Sequence, residues 1–251
     1  GQMFVHRLFG YRGIVLFSWL TKIYDRDLIK ASKVSSQEEK FAEFFTHNYY
    51  YLALIDSCDI PHVPVKNEPT YFYGLNSIYG FRYSIPDLDL VLHEDMLPYT
   101  ATKTESFNHD HFKRFFIHDS SKETRYKATK ILEEWQKQYT PCLALADAQK
   151  ETTENVRITA IPLYVGYRKA RRTNVYWWRF SVRIENLGES TLKLKSHLWK
   201  VLNVNGTLVK IRGNGVVGQI PVLNKSFPAF QYSSHVRLFF PRGSIWGSIT
   251  M

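Results

Sequence analysis

Alternating apolar and polar side chains predict β-strands at the start of the chain. Residues 3–17 contain two short apolar segments separated by Gly10 and Gly13, which indicates two strands joined by a turn. Residues 48–56 form a third segment in which apolar or aromatic side chains occupy both alternating faces. Because neither face is polar, we expect this strand to be covered on both sides.

A helical periodicity replaces this pattern in the middle of the chain. Three phenylalanines within 112–116 have the i, i+3, i+4 spacing of one helix face. Apolar residues within 128–139 repeat that spacing, and Ser-Ser-Lys-Glu at 120–123 predicts a capping box before them. We expect Pro141 to end this second helix and residues 101–147 to form a helical connector.

From residue 150 onward the pattern is that of strands alone. Residues 175–184 alternate strictly, and one of their two faces consists of Val175, Trp177, Arg179, Ser181 and Arg183. We expect this more polar face to point outward and the other, apolar face to point to a core. Asn205-Gly206 is the residue pair most typical of a tight hairpin turn. Short, regularly spaced strands without helices predict a β-sandwich.

Charge is distributed unevenly along the chain. Residues 1–150 contain 18 Lys and Arg against 19 Asp and Glu, whereas residues 151–251 contain 15 against 4. The basic second half favours an anionic partner such as nucleic acid, an acidic protein surface or anionic lipid, but it is equally compatible with a basic domain that has no such partner.

No run of 18 apolar residues is present, so we predict no membrane span. Cys58 and Cys142 lie outside any zinc-binding spacing, and we expect inert thiols.

Gly213, Gly215 and Gly218 have the G-x-G-x-x-G spacing of dinucleotide-binding loops. Such a loop requires a helix after its last glycine and an acidic residue about 20 positions further on. Here a proline follows within three residues, and no acidic residue occurs from 190 to 251. We therefore predict a structural turn, with one functional alternative, a weak anion site formed by backbone N–H groups beside Arg212.

The sharpest basic run lies between two predicted strands and consists of Arg168, Lys169, Arg171 and Arg172. On a loop tip these side chains would contact phosphates or an acidic protein groove, or they would simply be solvated. Trp177, Arg179 and Arg183 on the outward face would supply a stacking surface beside the run. Alternatively, Trp177 would cover an interface with the connector helix.

Two further clusters contain ligand-type side chains. One is a histidine group made up of His109, His111 and His118. In a helix, His109 and His111 would point apart, which argues against a metal site. The other is the consecutive triplet His93-Glu94-Asp95, which we interpret as a charged surface turn. With no catalytic motif in the sequence, we predict no catalytic residue, no cofactor and no metal.

The second half resembles a known family. Residues 212–251, RGNGVVGQIPVLNKSFPAFQYSSHVRLFFPRGSIWGSITM, resemble the ApaG (DUF525) domain, and NVRITAIPLYV at 155–165 and VYWWRFSVRIEN at 175–186 fit the same family. This resemblance implies an immunoglobulin- or fibronectin-III-like β-sandwich over 148–251. The family pattern has a further strand beyond the equivalent of Met251, which this sequence lacks.

The first part resembles the YccV or hemimethylated-DNA-binding family. The likeness is carried by GQMFVHRLFGYRGIVLF at 1–17, YYYLALID at 49–56 and HEDMLPY at 93–99. It implies an SH3-like small β-barrel over 1–100, with insertions at 32–47 and 60–85. Together with the connector and the sandwich, the expected fold is mainly β.

The two domains in this order resemble the polymerase delta-interacting protein 2 family. Dense matches lie at YDRD 24–27, HEDMLPYT 93–100, ETTENVRITAIP 151–162, VYWWRFSVRIENL 175–187 and PAFQYSSHV 228–236. The resemblance implies a monomeric, non-enzymatic adaptor that binds DNA polymerase subunits, the sliding clamp or a primase-polymerase in replication and translesion synthesis. It also implies the mitochondrial matrix and nucleus, with a presequence upstream of Gly1. The alternatives are regulation of a mitochondrial ATP-dependent protease, from the likeness to heat shock protein Q, and direct DNA binding by the basic half.

Overall fold

The computed structural model describes residues 1–31, 45–73, 82–99, 107–119, 126–169 and 173–251. Most of the insertion predicted at 32–47 and the capping box predicted at 120–123 lie outside these residues. No helix in the described ranges is long and apolar enough to cross a membrane.

Strands dominate the first hundred positions. The elements are β1 (Met3–His6), β2 (Arg12–Asp25), α1 (Arg26–Ala31), β3 (Phe45–Ile55), β4 (Val65–Asn67), β5 (Thr70–Tyr73), β6 (Arg82–Ile85), β7 (Leu88–Leu92) and β8 (Met96–Pro98), with 3₁₀ turns at Ile60–His62 and His93–Asp95. The first three predicted strands are therefore present as β1, β2 and β3. The predicted insertion at 60–85 contains β4, β5 and β6.

The connector contains helices and two short strands, and the remainder of the chain is again β-structure. The elements are α2 (Phe112–Phe115), β9 (Phe116–His118), β10 (Tyr126–Ala128), α3 (Lys130–Leu143), β11 (Ala148–Thr153), β12 (Val156–Lys169), β13 (Asn174–Asn186), β14 (Leu192–Lys193), β15 (Ser196–Asn203), β16 (Leu208–Asn214), β17 (Val222–Leu223), β18 (Ala229–Leu238) and β19 (Gly243–Thr250). The mainly β prediction is confirmed.

One ten-stranded sheet runs through both halves of the molecule. Its order is β4-β18-β13-β12-β11-β2-β1-β8, and β3 and β7 continue from β2 along a second branch. The halves join where β2 and β11 pair in parallel, with Ala148 opposite Ile23 and Lys150 opposite Asp25. An ion pair of 2.6 Å between Lys150 Nζ and Asp25 Oδ2 reinforces that joint.

This joint changes the expected architecture of residues 1–100. The described strands form open sheets, and no closed barrel is present among them. The physical reason is that β2 pairs with β1, β3 and β11 along its length, so its free edge is used for the second half instead of for closure. The boundaries proposed at 100 and 147 stay a prediction.

Both faces of β3 are buried over residues 52–55, as the sequence predicts, whereas Tyr49 in the same predicted strand is 49% exposed. Leu52 and Leu54 belong to the largest apolar cluster, which also contains residues of β2, β7, β12 and α3. Ala53 and Ile55 point the other way into a smaller cluster with Phe4 and other side chains of the first half. Burial of such aliphatic side chains contributes roughly 1.5–3 kcal/mol each.

Helix α3 forms where apolar spacing predicts it, but its ends differ from the prediction. It begins after Thr129, whose Oγ1 accepts a 3.4 Å hydrogen bond from Leu132 N and donates to Arg114 O. Pro141 lies inside the helix, so the prediction that it ends there is wrong. Because it sits in the last turn, its missing N–H removes only one hydrogen bond near the helix end.

Helix α3 packs against both halves of the chain. Trp135 meets Phe17 of β2 edge to face, with ring centroids 4.6 Å apart. Tyr139 donates its hydroxyl to the carbonyl of Val165 in β12, and Gln136 Nε2 donates to Leu16 O at 2.6 Å. The connector therefore adds a second joint beside the β2–β11 pairing.

The second half contains the predicted sandwich core. Phe180, Val182 and Ile184 of β13 pack with Phe230 and Tyr232 of β18, and Trp199, Ile245 and Ile249 from the sheet β16-β15-β19 pack against them. The sequence predicts that the apolar face of β13 points to a core, and this prediction is confirmed. The opposite face of β13, expected at the surface, instead packs against the first half of the chain.

Candidate functional site

The basic run lies at the end of β12. Arg168 and Lys169 are the last residues of that strand and are exposed, whereas Arg171 and Arg172 lie outside the described residues. Tyr167, which precedes them, is 48% exposed. This end of the sheet therefore presents basic and aromatic side chains to solvent.

Trp177 is half-buried and does not form an open stacking surface. It packs against the large apolar cluster, to which α3 contributes Leu132 and Tyr139. The guanidinium of Arg237 on the neighbouring strand lies over its ring, 5.5 Å from the centroid. Contact between Trp177 and the connector helix itself stays a prediction.

Arg179 is fully buried, so the prediction that it faces outward is wrong. Its Nη2 donates to the carbonyl of Leu88 at 2.5 Å and to Ser233 Oγ at 2.8 Å. Burial lowers the pKa of Arg179 to about 10, and the charge of Asp89 opposes that shift, so the side chain is cationic at neutral pH. It connects β13 to β7 and β18 and offers no surface to a partner.

Arg183 also points inward, which corrects its predicted exposure. Its side chain is 15% exposed and forms an ion pair with Asp95, which is 2% exposed. Arg7 approaches the other oxygen of Asp95 at 3.3 Å. Burial alone would raise the pKa of Asp95, but its hydrogen bond and ion pair with Arg183 hold that pKa below its usual range.

The triplet His93-Glu94-Asp95 is therefore not a simple surface turn. In the 3₁₀ turn its three side chains diverge: Asp95 is buried, Glu94 accepts a hydrogen bond from Asn48, and His93 Nδ1 lies 2.9 Å from Tyr51 Oη. Consecutive residues point apart in such a turn just as they do on a strand, but here one direction leads into the junction between the halves.

Asp89 is the centre of a second buried network. It is fully buried and accepts hydrogen bonds from Tyr11 Oη at 2.6 Å, Gln231 Nε2 at 2.6 Å and Asn67 Nδ2 at 3.2 Å. Gln231 also reaches the carbonyl of Leu90 at 3.3 Å. Side-chain hydrogen bonds thus bridge β7 to β18, two strands at distant positions in the sheet order.

A polar cavity of about 220 Å³ lies between the halves. From the second half it is lined by Lys150, Arg157, Thr159, Ile161, Ser181, Arg183, Glu185 and Gln231. From the first half it is lined by Arg7, Ile23, Thr46, Asn48, Tyr50, Leu90, Leu92, Glu94 and Asp95. Four of these side chains are cationic and three are carboxylates.

The glycine loop is a tight turn between β16 and β17. Val216 and Gln219 exchange backbone hydrogen bonds of 2.8 and 2.9 Å across a two-residue turn in which Val217 and Gly218 have φ of 47° and 72°. At Gly215, with φ of 61°, an added Cβ would lie 1.8 Å from Gln219 O. The amides of Gly215, Val216 and Gln219 already donate to backbone carbonyls, which leaves few N–H groups for an anion.

Arg212 and Gly213 lie at the end of β16, beside this loop. Arg212 is exposed, and Gly213 faces His197 on β15, whose ring atom would lie 2.7 Å from an added Cβ. The anion site proposed beside Arg212 stays a prediction.

His109 has a structural environment. It is 6% exposed, its Nε2 lies 3.3 Å from Pro86 O, and its Nδ1 accepts a hydrogen bond from His111 N. Burial lowers the pKa of His109. Across the part of the chain that the structure describes, no group of three or more His, Cys, Asp or Glu is placed to hold a metal ion.

Sequence reasoning placed Asp95 in a surface turn, and it missed four other residues at the centre of the junction, namely His6, Tyr11, Asp89 and Gln231. A usable signal exists for Asp89, because it lies inside the apolar strand sequence Leu88-Asp-Leu-Val-Leu92. A charge within such a run is buried and must therefore be paired or hydrogen-bonded. His6, Tyr11 and Gln231 have no comparable sequence signal.

Known proteins similar to this chain span both halves. The chain is 43% identical over 255 residues to polymerase delta-interacting protein 2 of Homo sapiens, an alignment that covers 99% of this chain and 69% of the human protein. The mouse protein of the same name matches to the same extent.

The second half has its own relatives. The family model described as ApaG domain (DUF525) matches residues 167–251. Protein ApaG of Rhodospirillum centenum is 37% identical over 101 residues, which cover 40% of this chain and 77% of that protein. A solved structure of an ApaA protein from Bordetella pertussis is 28% identical, with a TM-score of 0.31, and covers 37% of this chain and 74% of that one.

Proposed function

This chain belongs to the polymerase delta-interacting protein 2 family, and from that premise we propose that it is a non-enzymatic adaptor for DNA synthesis proteins. Its partners in this proposal are DNA polymerase subunits, the sliding clamp or a primase-polymerase. The adaptor supports replication and translesion synthesis, in the mitochondrial matrix and the nucleus. Fractionation of cells that express the full-length protein tests the compartments.

The observation that carries the proposal is the basic, partly aromatic end of the sheet formed by β12, β13 and β18. Arg168, Lys169 and Arg237 are exposed there, together with Tyr167 and Phe239. No acidic residue occurs between 155 and 184 or between 190 and 251. The carboxylate of Glu68 approaches β18 at His235, but the strand ends themselves carry only cations and accessible apolar groups. Such a surface fits an acidic protein segment that also carries apolar side chains.

Charge reversal tests this surface. The variant Arg168→Glu/Lys169→Glu/Arg171→Glu/Arg172→Glu should bind its partner at least about tenfold more weakly, because four attractive charges become repulsive ones. Binding is measured by calorimetry against purified polymerase subunits, sliding clamp and primase-polymerase. A mitochondrial protease–unfoldase is included as the alternative partner.

The matched control reverses four exposed lysines on the connector: Lys113, Lys127, Lys130 and Lys137. It changes the net charge equally but leaves the basic end intact, so the affinity should stay within about twofold. Equal losses in the two variants would show a general charge effect and would remove this surface from the proposal.

Direct DNA binding is a second candidate, favoured by the 15 basic against 4 acidic residues of 151–251. If the protein contacts about four phosphates, a plot of the logarithm of the association constant against the logarithm of the salt concentration should have a slope of about −3.6. Fluorescence anisotropy of labelled duplex DNA, recorded at salt concentrations from about 50 to about 200 mM, measures that slope. A slope near zero, or no binding at low salt, would exclude DNA.

A further inference from the structure

The polar cavity between the halves is separate from the basic end of the sheet. One of its walls is formed by neighbouring residues on a single face of three strands. Thr159 of β12 lies between Lys150 of β11 and Arg183 of β13, and Arg157 lies opposite Glu185 in the next row. Cationic and hydroxyl side chains are therefore adjacent on this wall.

Each carboxylate of the cavity already has a partner. Asp95 pairs with Arg183 and Arg7, and Glu185 Oε1 lies 3.6 Å from Arg183 Nη2. Glu94 is exposed at the rim and accepts a hydrogen bond from Asn48. The acidic groups are thus accounted for within the protein.

The cations are not equally satisfied. Lys150 pairs with Asp25, but Arg157 has no carboxylate within 4.0 Å among the described residues. The Nε atoms of Arg157 and Arg183 are shielded from solvent and have no hydrogen-bond acceptor in the described structure. These Nε atoms are closed to the cavity as well as to solvent, so an anion in the cavity would meet the Nη groups of Arg157 instead. Arg157 is thus a cation that lines the cavity and that no carboxylate among the described residues balances.

We infer that this cavity binds a small oxyanion, with a phosphate or carboxylate group accepting from the guanidinium of Arg157. Lys150 and Arg183 supply further positive charge, and Thr159 and Ser181 supply hydroxyl groups. The volume of about 220 Å³ corresponds to roughly seven water molecules. It accommodates phosphate, pyrophosphate or a short polycarboxylate.

The test titrates the intact chain with inorganic phosphate, pyrophosphate and citrate at constant ionic strength. Calorimetry gives the dissociation constant, and the ¹⁵N–¹H signal of the Arg157 Nε reports the site itself. We expect saturable binding of at least one probe, accompanied by a concentration-dependent shift of that signal as the neighbouring Nη groups bind the anion. Preference for pyrophosphate or for citrate distinguishes a phosphate ligand from a carboxylate ligand.

Variants locate the site. Arg157→Gln should weaken binding about 10- to 100-fold, Arg157→Lys should weaken it less, and the exposed control Lys127→Gln should leave it unchanged. Thr159→Val is the second cavity variant, expected to weaken binding several-fold if Arg157→Gln fails to fold. Circular dichroism checks each fold.

Two outcomes overturn the inference. One is the absence of binding by all three probes at millimolar concentration, and the other is binding by Arg157→Gln and Thr159→Val at wild-type strength. The result is independent of the adaptor proposal, because Arg157→Gln leaves the basic end of the sheet intact and is expected to bind protein partners normally.

Discussion

Single buried polar side chains determine how the halves meet. Arg179, Asp89 and Asp95 are each less than 3% exposed, and all three form hydrogen bonds or ion pairs across the junction. The sequence correctly predicts that positions 179 and 183 alternate with apolar residues. It could not predict the direction of the polar face, because alternation is the same whether that face meets water or another polar surface.

His6 gives the junction a pH dependence. Burial lowers its pKa from 6.5 to about 4, with Asp89 and Asp95 opposing the shift, and its Nδ1 accepts hydrogen bonds from the amides of Leu8 and Phe9. The unfolded chain binds the proton more readily, so this contribution to stability is complete above pH 6.5 and is lost as the pH falls toward 4.

We expect the free energy of unfolding to fall by about 2–3 kcal/mol from this group as pH decreases from about 7 to 4.5. The variant His6→Asn keeps an acceptor but cannot titrate, so its urea-unfolding free energy should depend less on pH. Some slope should remain, because burial lowers the pKa of His109 as well. His47→Asn, at an exposed position, serves as the control. Parallel pH curves for His6→Asn and wild type would contradict the assignment.

At the scale of elements, periodicity predicts existence better than boundaries. Strand β13 and helix α3 form where alternation and i, i+3, i+4 spacing place them. Helix α3 begins after Thr129, whose hydroxyl donates a hydrogen bond to Arg114 O. The helix continues through Pro141 because a proline in the last turn removes only one backbone hydrogen bond. Such contacts are not encoded in the spacing of apolar residues.

The glycine loop permits a direct comparison of two positions with positive φ. Gly218→Ala meets no atom within 4 Å, so it should cost only the backbone strain of about 1–2 kcal/mol. Gly215→Ala places its Cβ against the backbone carbonyl of Gln219, which cannot rotate away, and should cost more than about 3 kcal/mol. Thermal or urea unfolding of the two variants measures the difference. Equal costs would mean that the close approach at Gly215 has no energetic importance.

At the scale of the whole molecule, two β-rich parts and a connector follow from the sequence, but their union in one sheet does not. The pairing of β2 with β11 joins residues about 125 positions apart, as at Asp25 and Lys150. The pattern of apolar and polar residues along a strand does not specify which other strand pairs with its free edge. The burial of the polar face of β13 and the cavity beside it both result from the pairing of β2 with β11. The sequence therefore does not predict them either.

Because the halves share a sheet and buried ion pairs, we expect them to unfold together. Asp95→Asn leaves Arg183 poorly paired at the junction and should lower stability by roughly 3 kcal/mol. Hydrogen exchange in mild urea should then accelerate to a similar extent for amides of β3 and β15. Glu94→Gln, beside it but exposed, is the control and should cost under about 1 kcal/mol. Acceleration confined to one half would show two independent units.

The parallel joint also has a consequence for synthesis of the chain. Strand β2 leaves the ribosome about 125 residues before the strand that covers its edge, an interval on the order of 10 s at typical elongation rates. During that interval the nascent first half presents open backbone donors and acceptors to every neighbouring chain. A second nascent copy could donate its own β11 there, so crowded polysomes would favour strand-swapped dimers, and a chaperone that shields β2 would suppress them.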